Sequence, residues 1–416
     1  MRRIGFVESN RSGSGFAALR AARELGLHVT FFNCGLDRYH ATPGGTEVLR
    51  TCVDEFVSCP THEPAPLLAA VKEVDARRPL DALLSVAEYE VVPAAEAARQ
   101  LGLPGPNPDG VRIARNKADQ RRRCAERGVP VPDFRAVTTP EQAVRAAGEV
   151  GLPCVVKAAD ETSGAYVSRC TTATEVVASF LAILADPTNM RGQPRHPEVL
   201  VEECLVGFEV SVEVLAAGES VRVLGVTDKL VGGHNRFVEL GHTFPTLLPD
   251  PIRNELARAA VAAVRAVDFD LGIAHVELKY TPEGPKLVEI NPRPAGGRIT
   301  ELMDRSLGLP TMELVVRQHL GESVGGIEIL PARGAAIRYL TADPGVVDTV
   351  TGIDIARAVP GVVDAEVYVA PGKHVNSLRV NEDRIGHVLA TAADPYVAGR
   401  VAESAVQQVA VTTRRE

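Results

Sequence analysis

The chain is 416 residues long, 45% hydrophobic, 24% charged and only 4% aromatic, enough for two to four domains at roughly 100–200 residues each. Its 45 Lys and Arg against 53 Asp and Glu leave a formal net charge of -8, which argues against a phosphate-clasping, base-stacking nucleic-acid binder. No apolar run reaches the ~20 residues of a membrane span, none after Met1 suits a secretion leader, and the seven scattered Cys form no Cys-x-x-Cys pair. The expectation is a cytoplasmic protein with no membrane partner, no disulfide framework and no thiolate zinc site.

In chain order, Arg3–Val7 reads as a strand, Gly15–Gly26 as a helix and His28–Asn33 as a strand. Asp54–Cys59, Pro64–Arg77, Leu80–Val86 and Val91–Leu101 continue the alternation, which predicts βαβ units and a parallel sheet. The stretch Leu103–Gly110, with three prolines and two glycines, is a break. Val111–Arg127 is a basic helical stretch, and a helix at Pro140–Val150 leads into a strand at Cys154–Lys157. The loop Ala158–Ala165 follows, then a strand Tyr166–Cys170, a helix Thr172–Ala185 and a polar loop Asp186–Pro197. Glu198–Lys229 alternates as sheet: Phe208, Val210, Val212 and Val214 face one way, Glu209, Ser211 and Glu213 the other. Ile252–Val267 has the apolar spacing of a helix packed on that sheet. Strands Ile273–Tyr280 and Lys286–Asn291 flank the turn Thr281–Pro285. The tail holds strands at Ala335–Leu340 and Asp364–Val369 and a helix near Arg384–Thr391.

Chemistry concentrates in the two strands around that turn. A turn centred on Glu283 places Glu277 opposite Glu289 and His275 opposite Asn291, all on one face. Opposed carboxylates ~5 Å apart repel, and a hard divalent cation converts that repulsion into coordination. The alternative is a solvated polar sheet face. For His275 the alternatives are a structural histidine and a substrate contact. Glu289-Ile-Asn-Pro-Arg293 then adds an arginine fork suited to a carboxylate or phosphate, and Gly296-Gly297 lets backbone approach an anion; a proline-rich turn with a surface arginine is the plain reading. Lys157 precedes the loop Asp160–Gly164, and Lys117 lies on the basic stretch. Either is a phosphate ligand or a solvated charge, and no Walker A loop occurs. Glu202, Glu203, Cys204 and Leu205 end a strand whose backbone can meet an adenine edge, with Glu209 near ribose; by itself a plain edge strand is the simpler reading.

Ordered this way, the set resembles the ATP-grasp superfamily, and within it carboxylate–amine ligases such as the bacterial L-amino acid ligases. The likeness spans roughly residues 1–330, and His275-x-Glu277 followed by Glu289-x-Asn291-x-Arg293 and Gly296-Gly297 is its most specific part. It implies an α/β ATP-grasp fold. An N-terminal Rossmann-like parallel-sheet domain would occupy 1–110, and an ATP-grasp domain 111–330, with a small α+β lid at about 121–200 and a mixed-sheet catalytic core. A C-terminal α+β subdomain would occupy 331–416. It further implies that Lys117 and Lys157 bind ATP phosphates, with Ser163 and Gly164 over them, though a single glycine departs from the richer loops of many relatives. Glu202, Glu203, Cys204 and Leu205 would form the adenine hinge and Glu209 would take ribose. Glu277, Glu289 and Asn291 would hold Mg²⁺, or Mn²⁺ in its place, and Arg293 an acyl phosphate, with Lys157 and His275 also in the catalytic set. Glu88, Lys229, His275, Arg293, Gly296 and Gly297 are the substrate-side candidates, with His234, Asn235, Arg236, Arg298 and Glu301 as further selectivity residues. The implied reaction joins an acid, expected to be an amino acid, to an amine with ATP converted to ADP and phosphate; a homodimer is implied by likeness alone.

Three rivals remain: a carboxylase activating bicarbonate, a nucleotide-binding module without turnover, and an NAD oxidoreductase. The last rests on Gly13-Ser-Gly15-Phe-Ala-Ala18, which fits Gly-x-Gly-x-x-Ala after a strand. Against it, Asn33 stands where the ribose-binding acid would be.

Overall fold

The computed structural model describes residues 1–11, 13–232 and 237–414. Its first sheet is parallel, in the order Glu55–Ser58, His28–Asn33, Arg3–Val7, Ala82–Leu84. Arg3–Val7 is buried throughout, as strands covered by helices on both faces must be. The cover comes from helices Ser14–Glu24, Pro64–Arg77 and Val91–Gln100. Two short helices, Asp37–His40 and Gly45–Cys52, fill the stretch before the third strand.

The basic stretch is two helices, not one. Asn116 is extended and its side chain accepts hydrogen bonds from the backbone N–H of Ala118 and Asp119. It therefore ends the helix Pro108–Arg115 and caps Lys117–Glu126, fixing Lys117 in the first turn of the second helix.

The lid is an antiparallel sheet ordered Phe134–Val137, Val199–Glu203, Cys154–Ala158, Val167–Cys170. Helices Pro140–Val150 and Ala173–Ala185 pack on it through Ala143, Val176, Phe180 and Ile183, giving the lid its own small core. Thr172 and Glu175 close the second helix with a capping box.

The catalytic core is an eight-stranded sheet: Gly284–Asn291, Leu271–Thr281, Phe208–Ala217, Ser220–Gly232, Val238–Phe244, Gly334–Leu340, Gly386–Ala392, Val362–Val367. Expected as mixed, it is antiparallel in every pair. Helix Asp250–Ala266 covers one face, burying Leu256, Ala260, Ala263 and Val264 against Val210, Val212 and Val214. Each fully buried Leu or Val side chain there contributes about 1.5–3 kcal/mol. The expected helix near Arg384–Thr391 is instead the strand Gly386–Ala392, flanked on both sides by strands and buried from Gly386 to Ala390. A side chain at Gly386 would meet the Glu366 carbonyl at 2.4 Å, so only glycine admits the neighbouring strand.

The hairpin that carries the acidic residues has the expected pairs Glu277↔Glu289 and His275↔Asn291. Its turn differs from expectation: Thr281 pairs with Gly284 around a two-residue loop, Pro282-Glu283. A bulge after Glu277 makes up the difference, leaving Val288 without a partner and turning its carbonyl to Arg121 Nη2 at 2.6 Å.

Candidate active site

The lid, the core sheet and the ends of the parallel strands meet around one cavity of about 640 Å³. The phosphate, hinge, metal and substrate residues expected from sequence lie on its wall, from Glu88 and Lys117 to Gly296 and Gly297. Glu88 and the Ser9–Asn10 segment follow the C-terminal ends of the parallel strands Ala82–Leu84 and Arg3–Val7, where open α/β sheets place ligands.

Lys229 sits at the centre of the core-sheet face. It lies within the strand Ser220–Gly232, with Nζ 2.7 Å from Glu277, 2.9 Å from Glu239 and 3.0 Å from Glu209. Burial disfavours its charge, yet the three carboxylates outweigh burial and raise its pKa well above the usual lysine value. Glu277 and Glu239 are held low in return: burial pushes each up, and Lys229 together with a neighbouring histidine, His275 for Glu277 and His242 for Glu239, more than reverses this.

His275 bridges two carboxylates, with Nδ1 2.7 Å from Glu213 and Nε2 3.1 Å from Glu277. Burial pulls its pKa down, but Glu213 and Glu277 prevail and push it up to about 10. At neutral pH it is an imidazolium that orients Glu277.

On the lid side, Lys157 Nζ lies 2.7 Å from Glu202, which Arg121 Nε also reaches at 2.8 Å. Burial lowers the Lys157 pKa despite Glu202, whereas Arg121 and Lys157 outweigh burial and hold Glu202 low. The Glu202 side chain is thus committed to these cations, and Glu203 to Lys286 at 2.9 Å. In the Glu202–Leu205 stretch these two side chains are therefore spent, which leaves its backbone, with Cys204 and Leu205, at the cavity wall. The stretch lies where the lid strand Val199–Glu203 passes into the core strand Phe208–Ala217.

Lys117 Nζ contacts Glu289 at 2.8 Å and the Glu161 carbonyl at 2.5 Å. The loop that this lysine holds is tethered at its base. The Glu161 carboxylate accepts hydrogen bonds from Tyr89 at 2.8 Å and Arg195 at 2.9 Å. Beyond it, Ser163 and Gly164 take positive φ of 60° and 75° at the cavity wall.

Glu88, expected on the substrate side, is already spent. It is buried, 3.0 Å from Arg115 and hydrogen-bonded by Arg293, and these cations outweigh burial to hold its pKa low. It sets the direction of Arg293, whose Nη1 also donates to the Pro294 carbonyl at 2.9 Å. Arg298 is likewise occupied, by Glu301 at 2.7 Å and Asp364 at 2.6 Å. Gly297 has φ of 58°, and a Cβ there would meet His242 Nε2 at 2.9 Å. His234, Asn235 and Arg236 lie outside the described residues. Sequence reasoning missed Arg121, Glu213 and Glu239. The Lys117/Arg121 spacing on one helix face is a usable signal for the first.

Divalent metal fits the donor set. Among the described residues, no three His, Cys, Asp or Glu side chains form a complete metal cage. Mg²⁺, however, needs only one or two carboxylates plus phosphate oxygens. Glu277 and Glu289 are paired across the hairpin and partly exposed to the cavity, and the Asn291 side chain has no hydrogen bond among the described residues. The Gly13–Ala18 turn serves packing: a Cβ at Gly15 would strike the Asn10 carbonyl at 2.1 Å.

No helix among the described residues is long and apolar enough to cross a membrane. Residues 19–105 match the ATP-grasp N-terminal domain, 150–301 the ATP-grasp domain and 338–414 the L-amino acid ligase C-terminal domain 2. The chain is 29% identical over 410 residues to the uncharacterized protein y4rH of Sinorhizobium fredii, covering 98% of this chain and 83% of that one. It is 31% identical over 339 residues to carnosine synthase 1 of Gallus gallus, covering 77% of this chain but 35% of that larger protein. The L-amino acid ligase of Bacillus licheniformis shares its fold, with a TM-score of 0.83 at 20% identity over 100% of this chain and 99% of that one. Together with the acidic hairpin beneath two lysines, these three matched segments show that the chain belongs to the ATP-grasp family, among its carboxylate–amine ligases.

Proposed function

We propose that the protein uses ATP to activate the carboxylate of an amino acid as an acyl phosphate and joins it to an amine, giving an amide or dipeptide, ADP and phosphate. The observation that carries this reading is the Glu277↔Glu289 pair with Asn291 and Arg293 following, in one cavity with Lys117 and Lys157. A similarity to L-amino acid ligase in the C-terminal segment supports the choice of amine acceptor.

In this mechanism a substrate carboxylate oxygen attacks the γ-phosphorus and the bond to the β–γ bridging oxygen breaks, releasing ADP. The amine nitrogen then attacks the acyl carbon, the carbon–phosphate oxygen bond breaks, and the amine's proton leaves with phosphate or to water. Glu277, Glu289 and Asn291 would hold Mg²⁺ or Mn²⁺, which supplies positive charge to the phosphate oxygens when bound. Lys117 and Lys157 hold the phosphates and spread the charge that develops on the transferring group. Arg293, aimed by Glu88, faces the acyl phosphate. His275 keeps Glu277 ionised and oriented. The lid sheet excludes the water that would hydrolyse the intermediate.

The test is a phosphate-release screen of amino-acid pairs with ATP and Mg²⁺. Release that requires both an acid and an amine supports the ligase. Release with bicarbonate, accompanied by incorporation of its label, would replace it with a carboxylase, and ATP binding without release under any mixture would leave only a nucleotide-binding module.

A further inference from the structure

Three consecutive residues of the parallel-sheet domain reach three different parts of the cavity wall. Glu88, Tyr89 and Glu90 lie in the connection between the strand Ala82–Leu84 and the helix Val91–Gln100, and all three are buried. Glu88 aims Arg293 at the reacting end. The Tyr89 hydroxyl donates to the Glu161 carboxylate at 2.8 Å, at the base of the loop that carries Ser163 and Gly164. Glu90 accepts two hydrogen bonds from Arg191, from Nε and Nη2 at 3.1 Å each, in the lid segment between Ala185 and Val199.

Further contacts tie this turn to both the loop and the lid. Arg115, 3.0 Å from Glu88, donates through Nη2 to the Asp160 carbonyl at 3.2 Å, and its guanidinium lies 5.3 Å from the centre of the Tyr89 ring. The Tyr89 carbonyl accepts from Gln193 of the lid at 3.2 Å. Glu161 is gripped from two sides, by Tyr89 and by Arg195 of the lid at 2.9 Å, with Lys117 on its carbonyl. A hydroxyl donating to a carboxylate out of water makes a strong bond, and losing it leaves a buried oxygen short of a partner. Glu161 therefore cannot shift without pulling on the turn. The turn cannot shift without moving Glu88, and with it Arg293.

We propose that Tyr89 is a positioning residue that couples the two ends of the site, so that a closed phosphate loop presets Arg293 for the acid and a bound acid favours the closed loop. This rests on the ligase reading above and adds to it a mutual dependence of nucleotide and acid binding. Such a coupling is reciprocal: each ligand raises the affinity of the other by the same factor. The Tyr89 hydroxyl touches neither reacting group, and acts through Glu161 on one side and Glu88 on the other.

Tyr89→Phe removes only the hydroxyl and leaves Glu161 to Arg195, so the fold should survive. Isothermal titration with the β,γ-imido analogue of ATP and Mg²⁺ needs no acid. The variant is expected to bind the analogue about 10-fold more weakly than the wild type, the worth of a charge-assisted hydrogen bond. It is also expected to let trypsin cut after Arg191 and Arg195 at analogue concentrations that protect the wild type. The titration is then repeated with whichever common L-amino acid gives the fastest phosphate release. That acid should tighten the analogue about 10-fold in the wild type and less than about 2-fold in Tyr89→Phe. Equal affinity of the two proteins for the analogue overturns the proposal. So does a wild-type affinity that the acid leaves unchanged, or an acid effect of the same size in the variant, which would make the hydroxyl structural only. Absence of phosphate release with every pair would sink the ligase reading itself, whatever the acid-free titration finds for Tyr89.

Discussion

Lys229 Nζ lies 2.7 Å from Glu277 Oε1, so the carboxylate proposed to bind metal is held, without metal, by a buried ammonium it shares with Glu209 and Glu239. One lysine against three carboxylates leaves this face of the sheet short of positive charge, and His275 supplies one more cation. A divalent ion bound there, as proposed, would meet carboxylates that Lys229 and His275 already hold in place.

Removing the central cation should cost stability. Lys229→Met would leave Glu209, Glu239 and Glu277 in a buried cluster with one fewer partner, and breaking a buried pair in this way costs about 3–5 kcal/mol. The urea midpoint of Lys229→Met is expected to fall accordingly. An unchanged midpoint would mean that these carboxylates are far better hydrated than their burial indicates.

Glu289→Ala tests the metal assignment. Glu289 is partly exposed and, among the described residues, its carboxylate pairs only with Lys117, so its removal should leave the fold nearly as stable while phosphate release drops at least ~100-fold. Turnover near the wild-type level in folded Glu289→Ala protein, with the same Mg²⁺ dependence, would remove Glu289 from the ligand set.

Lys157→Ala separates a phosphate ligand from a structural cation. Glu202 would keep Arg121 at 2.8 Å, so folding should survive. ATP affinity is expected to fall and the phosphoryl transfer rate to drop by roughly 100- to 1,000-fold. If isothermal titration finds ATP bound as tightly as by the wild type, and turnover is unaltered, Lys157 serves only to neutralise Glu202.

The His275 environment predicts a pH dependence of stability. Its folded pKa is raised from 6.5 to about 10, so its contribution is complete below the unfolded value and fades as pH rises between the two. Stability measured in chelator should therefore decline from about pH 6.5 toward pH 10, and His275→Asn should flatten that decline. Parallel curves for the two proteins would mean that another group governs the alkaline limb.

Isotope transfer tests the order of bond making. With an ¹⁸O-labelled acid, acyl phosphate formation carries the lost carboxylate oxygen into inorganic phosphate, with ADP as co-product. Mass spectrometry of the phosphate is expected to find the label there. Label in AMP, with pyrophosphate released, would indicate an acyl adenylate and defeat the proposed mechanism.

Residue alternation alone put Glu277 opposite Glu289 and His275 opposite Asn291, because side chains on a strand change face with a period of two. The same reasoning misplaced the turn. It assumed equal residues on both strands, and the bulge at Val288 aims a carbonyl at Arg121, on a helix distant in sequence. Local pattern also delimited Pro64–Arg77 and Pro140–Val150, whose apolar stripes and N-terminal prolines act within one element. It failed at Gly386–Ala392, because a strand paired on both sides is apolar on both faces and has no period to read. Charge partners were equally hidden. Lys229 and Glu88 were only substrate-side candidates until three separate strands brought Glu209, Glu239 and Glu277 around the first, and Arg115 and Arg293 converged on the second. Sequence by itself thus determined which residue types share a strand face and hence the kind of chemistry available. Tertiary structure decided which charges are spent and which remain open, because Coulomb pairing depends on distance through space, and folding brings together groups that the chain keeps far apart.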